Sequence, residues 1–209
     1  MSQLKLTADS GGGTVAIKGP ASTTGNGAIE LTVPGTGNAT LLTSATNTGK
    51  ILQVVSSVKS DTASFDLSSG YFSSSTQTGI QVSITPSNTN NKILLFGMIN
   101  VDVAGQQYNI GVAFDKDGSI ISGATGDADG SRKRVTALGS GYANDQYAPT
   151  INLSYLDTAG GTSAITYGLL VNNPSSISRT VYINRSVSDL SSAYGRRAVS
   201  TLTAMEVAA

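Results

Sequence analysis

The chain is 209 residues long, carries no His, Cys or Trp, and balances 13 basic against 13 acidic side chains. Without His or Cys, most nucleophilic triads and most zinc and iron sites cannot be assembled, and no disulfide staples the fold. A neutral balance gives no long-range pull toward nucleic acid or an anionic membrane, no run approaches the ~20 apolar residues of a membrane helix, and residues 1–20 lack the continuous apolar stretch of a secretory leader.

What the chain has in excess is small and turn-forming: 24 Gly, 29 Ser and 24 Thr. Apolar content is 39% and charged content only 12%; a disordered chain would combine few apolar residues with high charge. Short alternating apolar runs between Gly/Asn/Asp/Ser breaks predict an all-β protein of many short strands. The first expectation is a structural or binding protein without cofactor, not an enzyme.

Residues 1–49 form the first expected segment. Gln3–Thr7, Thr14–Lys18 and Ala28–Val33 alternate as three short strands, broken by Gly11-Gly12-Gly13 and Gly19-Pro20 and closed by Pro34-Gly35. Strands this small cannot hold a core alone, so the segment needs a partner surface. Residues 35–49 read as a flexible connection. The second segment, 50–209, places strands at intervals suited to a sandwich. Lys50–Val55 starts it and Gly79–Thr85 follows. Lys92–Val101 is the most apolar run and is expected as a central strand buried on both faces. Tyr108–Phe114 leads into Asp115-Lys116-Asp117-Gly118, a hairpin turn, and Ser119–Ile121 returns. Later strands are expected at Ile151–Leu156, Ala164–Val171, Arg179–Ile183 and Val199–Val207, with a single helical turn near Asp189–Tyr194.

Several of these stretches resemble segments of marine bacteriophage virion proteins. Gly79–Leu95 is similar to their strand–turn–strand unit; so are Gly126–Ala137, Tyr182–Ser186 and the closing Ser200–Val207. The opening Leu4–Asn26, with its Gly-Gly-Gly and Pro-Ala-Ser-Thr, resembles the start of phage tail-fibre chains. The resemblance spans nearly the whole sequence. It implies a jelly-roll-like β-sandwich of the complement and tumour-necrosis-factor type over 50–209, a homotrimer with apolar strand faces at its core, and a virion location. It also implies that residues 1–49 anchor the protein to other virion proteins. A low-charge, Cys-free chain with a first segment too small to fold alone is compatible with oligomerisation.

Four groups of residues are candidates for recognition. Arg132-Lys133-Arg134 is the one basic run, and all six Arg lie from Arg132 onward, with a second pair at Arg196-Arg197. Arg grips carboxylate and phosphate bidentately, so Arg132 and Arg134 are receptor-contact candidates; the alternative is a set of subunit-interface salt bridges with Asp127, Asp129, Asp145 or Asp189. Tyr142 and Tyr147 lie in a Gly/Asn/Asp/Gln loop and are the candidates for stacking on sugar rings, whereas Tyr155, Tyr167 and Tyr182 sit in strand patterns. The pairs Asp115/Asp117 and Asp127/Asp129 precede Gly and are weak metal candidates set against plain turns, since the helix–loop–helix calcium motif needs further ligands that are missing. No carboxylate pair is marked as a glycosidase pair.

The leading expectation is a virion structural protein of tail-fibre type that binds a host-surface glycan or protein without chemistry, with avidity from many copies. The alternatives are a capsid decoration or head-fibre protein, a stand-alone carbohydrate-binding module and a polysaccharide-cleaving enzyme.

Overall fold

The computed structural model describes residues 3–7, 14–18, 50–105, 109–139, 148–192 and 195–209. The chain divides into two units, Met1–Thr43 and Ser44–Ala209. In the first unit, β1 (Gln3–Thr7) and β2 (Thr14–Lys18) pair antiparallel, with Leu4 opposite Ile17 and Leu6 opposite Val15. Both lie where the alternation predicts strands. The strand expected at Ala28–Val33 and the 35–49 connection lie outside the described residues.

The second unit is an antiparallel sandwich. Its strands are β3 (Ile51–Lys59), β4 (Ala63–Leu67), β5 (Gln81–Ile84), β6 (Lys92–Val103), β7 (Ile110–Lys116) and β8 (Ser119–Ile120), then β9 (Ala137–Gly139), β10 (Thr150–Thr158), β11 (Ile165–Asn172), β12 (Arg179–Ile183) and β13 (Ser200–Val207). Some of them share a lane. β3 and β4 pair with β13 and β12 in turn, so they form one lane bent at 60–62. β12 and β13 pair with successive stretches of β6 and form one lane interrupted by residues 184–199. β8 and β9 flank opposite ends of β7. With lanes numbered in chain order (β3 with β4 as 1, β5 as 2, β6 as 3, β7 as 4, β8 with β9 as 5, β10 as 6, β11 as 7, β12 with β13 as 8), and β10 pairing β6 on its other side, the sheets run 1-8-3-6 and 2-7-4-5. That order is a jelly roll, two Greek keys folded over each other.

The core is built by inward alternation. Ser200–Val207 alternates buried and half-buried residue by residue. Ile93, Leu95, Ile99, Leu202 and Ala204 of the first sheet join Phe114, Tyr167, Leu169 and Val171 of the second in one buried cluster. Burial of side chains this size is worth roughly 1.5–3 kcal/mol each before conformational entropy is charged against it.

Two expectations are corrected. β6 is central, but only its second half is buried on both faces. Phe96 is 46% exposed, whereas Asn100 and Asp102 on the same outward side are buried. The difference is a lid: the loop after Ile183 lies over that half, with Asn100 Nδ2 donating to the Val199 carbonyl and Val187 N–H donating to Asp102 Oδ2. The helical turn is also elsewhere. No helix forms in the described part of 189–194; instead α1 spans Ser75–Thr78. Ser74 caps it by accepting from Gln77 N–H, while the Gln77 side chain accepts from Ser74 N–H, and Gly79 ends it in a left-handed conformation.

Candidate functional site

The basic run lies in the connection from β8 to β9. Arg132 is exposed and pairs with Asp129 at 2.7 Å, a bridge so solvated that it adds at most ~1 kcal/mol. Arg134 turns inward: its Nε donates to the Gly126 carbonyl at 2.5 Å and an Nη to the Ser122 carbonyl at 3.1 Å. It therefore fastens the loop to the 3-10 turn Ser122–Ala124. With Asp127, Asp129 and Lys133 the two arginines line a shallow recess of about 430 Å³. Arg132 thus offers a guanidinium to solvent, while Arg134 commits its Nε and one Nη to loop carbonyls. Tyr142 and Tyr147 lie outside the described residues, as does Asp145. Arg197 belongs to the loop between β12 and β13, where Asp189 accepts from it at 2.7 and 3.1 Å; Arg185 stacks on the Tyr182 ring at 4.3 Å and approaches Asp189 at 3.6 Å. These Arg–Asp pairs form within one chain.

The two Asp pairs have different surroundings. Asp127 and Asp129 are exposed on the loop. Asp115 and Asp117 flank the β7–β8 turn, where Asp117 at φ 50° and Gly118 at φ 83° reverse the chain. Asp117 takes the Thr166 N–H on its Oδ1 at 2.8 Å. Asp115 is 2% exposed, and its Oδ2 accepts from Ser75 Oγ at a long 3.2 Å. Burial pushes the Asp115 carboxyl above its ordinary value; the Ser75 hydroxyl offsets this in part, and the Asp117 charge adds to it. Both carboxylates, with α1, line a recess of about 590 Å³. Among the described residues no group of three or more acidic side chains gathers as a metal centre.

A third region was not anticipated: the outer face of β3, β13, β6 and β10. Register fixes its rows. Val54, Met205, Leu94 and Leu156 form one row, Ser56, Thr203, Phe96 and Ser154 the next, and Val58, Thr201, Met98 and Asn152 the third. Val54, Val58, Phe96 and Leu156 are between 46% and 63% exposed. Lys92 is the charged member of the adjoining row, and its ammonium donates to Thr158 Oγ1 at 2.9 Å. A recess of about 370 Å³ opens on this face between Phe96, Met98, Asn152 and Thr201. The signal was present in the alternation of Ile51–Lys59 and Ser200–Val207, whose outward positions hold Val, Met, Ser and Thr in place of charge.

Of the strand tyrosines, Tyr167 is wholly buried, whereas Tyr155 and Tyr182 are half-buried. No helix among the described residues is long and apolar enough to cross a membrane. The chain matches no protein-family model, and no curated protein matches it at a significant level.

Proposed function

We propose that this chain is a non-catalytic structural protein of a tailed-phage virion, of tail-fibre type. Its jelly roll associates with further copies of itself, as a trimer, through the outer face of β3, β13, β6 and β10. Residues 1–49 attach it to other virion proteins, and the loops at the free end contact a host-surface glycan or protein. The observation that carries the reading is that outer face. Val54, Val58, Phe96 and Leu156 stand exposed there among Ser and Thr, with Lys92 the one charge in the adjoining row, and an exposed apolar face rimmed by polar residues suits contact with another protein surface. Identical copies can meet on it without like-charge repulsion, and closed symmetry lets every copy use the same patch. Each receptor contact can then be weak, because linked copies raise the effective concentration. The sequence resemblance supplies the virion setting; the exposed Arg132 guanidinium supplies an anion-binding group for the receptor side.

Two measurements test this. Sedimentation equilibrium of the full chain is expected to give three chain masses; a monomer at micromolar concentration would remove the assembly. Antibody against residues 50–209, viewed on intact particles by electron microscopy, is expected to mark the tail. Label over the head would replace this reading with capsid decoration, and absence from particles would leave a free binding module.

A further inference from the structure

We propose that the recess between α1 and the β7–β8 turn binds a hard divalent cation of the calcium class, with Asp115 and Asp117 as its charged ligands. Two observations point there independently. The first is the donor set. Ser74, Ser75, Gln77, Gln81 and Thr166 line the recess beside the two carboxylates, and no Lys or Arg does. Hydroxyl, amide and carboxylate oxygens without imidazole or thiolate suit calcium or magnesium and not the softer metals. The second is an unsatisfied buried atom. Asp115 Oδ1 is inaccessible to solvent and has no hydrogen-bond partner. The N–H groups of Gly118 and Gly168 lie near enough to ease the carboxylate charge, yet neither makes a hydrogen bond to Oδ1. A buried carboxylate oxygen left in that state is expensive, and native folds rarely keep one without a partner.

The surrounding structure holds that oxygen where it is. A Cβ added at Gly168 would land on Ser75 and on Asp115 Oδ1, so the strand opposite must be bare for the carboxylate to sit there. Ser75 in turn accepts from Gln81 Nε2 at 2.7 Å, which leaves its proton for Asp115 and its place fixed. Asp117 commits Oδ1 to Thr166, and its Oδ2 makes no hydrogen bond among the described residues. A divalent ion would supply the missing partner for Oδ1, relieve the repulsion between the two carboxylates, and tie α1 to the turn. Calcium is favoured over magnesium because it accepts an irregular oxygen shell completed by waters, whereas magnesium demands a near-ideal octahedron.

The test is calcium titration of the full chain after chelator treatment, read by calorimetry and by melting temperature. Saturable binding is expected, with a melting temperature that climbs with the logarithm of free calcium. Asp117→Asn keeps an Oδ1 for Thr166 and accepts the positive φ, so it should fold as the parent does and bind calcium roughly tenfold or more weakly, since ligand charge sets affinity in such sites. Asp115→Asn should lose the calcium-dependent rise and match or exceed the parent's stability in chelator. The double change Asp127→Asn, Asp129→Asn should leave the rise intact. No heat and no shift up to about 10 mM calcium, above the range of weak extracellular sites, would overturn the proposal. An equal shift in Asp115→Asn and Asp117→Asn would overturn it too, by placing the ion elsewhere.

Discussion

Asn184 Oδ1 accepts a 2.6 Å hydrogen bond from Ser200 Oγ, across a separation of 16 residues, and this bond closes the gap between β12 and β13. Asn184 also spans the bend in the neighbouring lane, donating Nδ2 to the Lys59 carbonyl at 2.8 Å and the Asp61 carbonyl at 2.9 Å. Its backbone sits at φ 61°, where Asn is tolerated and Ala is strained. Asn184→Ala should therefore cost about 3 kcal/mol, the sum of lost buried hydrogen bonds and backbone strain. Asn184→Gly should be milder by about 1 kcal/mol because it relieves the strain alone. Urea midpoints with an unchanged slope would measure both. Equal losses for Ala and Gly would show that the backbone carries no strain.

Glu206 predicts an acid limb in the stability curve. It is 1% exposed, yet Oε1 accepts from Ser87 N–H, Ser87 Oγ and Asn91 Nδ2, and Oε2 accepts from Gln53 Nε2. Burial alone would raise its value; the bonds from Asn91, Gln53 and Ser87 overcome that and hold it down to about 2. A carboxyl lowered in the folded state stabilises fully above its ordinary value and loses the effect as pH falls toward the folded one. Roughly 3 kcal/mol should disappear between pH ~4.5 and pH ~2. Glu206→Gln should flatten that limb and lower stability at pH 7 by about 2 kcal/mol, since its amide would face the Gln53 donor. A parent curve that is already flat over this range would contradict the assignment.

Asp157 is shared by two donors, Tyr167 Oη at 2.7 Å and Lys116 Nζ at 2.8 Å. Burial, then the Asp157 carboxylate, push the Tyr167 phenol up, so it should stay protonated until the protein unfolds in alkali. Tyr167→Phe should cost ~1–1.5 kcal/mol, and Lys116→Met more, because it strips the carboxylate of its counter-charge. Ultraviolet titration of the parent should show this one tyrosine silent up to the unfolding step.

Phe96→Lys tests the outer face without touching the core. The side chain is half exposed and its neighbours Thr203 and Ser154 are small. The melting curve of the isolated subunit should move within ~0.5 kcal/mol, as surface changes do, while sedimentation shifts from trimer to monomer. A trimer that survives both Phe96→Lys and Leu156→Lys would exclude this face as the interface.

Much of the sandwich was legible because alternation records which face of a strand is wet. β5, β7 and β10 to β13 fall within a few residues of the runs that predicted them. β4 and β9 were missed because a lane continued after a bend, or a three-residue strand, carries too few periods to register. α1 was legible in principle: Ser74 and Gln77 have capping-box spacing, with Gly79 behind. The half-covered β6 was not legible, because its lid comes from a loop some eighty residues further along the chain. The same limit applies to the sites. Asp117-Gly118 announces a turn, but only tertiary packing places Ser75 and Gly168 around Asp115.

The stitch beneath the loop after Ile183 separates two jobs that a single strand would combine. Asn184 hands the sheet on to Ser200 directly, and Val187 and Val199 are tied down at either foot, so the lane keeps its register across the interruption. Between those ties the described part of the loop is held by its own contacts, Asp189 to Arg185 and Arg197 and Ala198 N–H to the Asn184 carbonyl, so a change of sequence there acts on the loop and on the lid over β6 before it reaches the sheet.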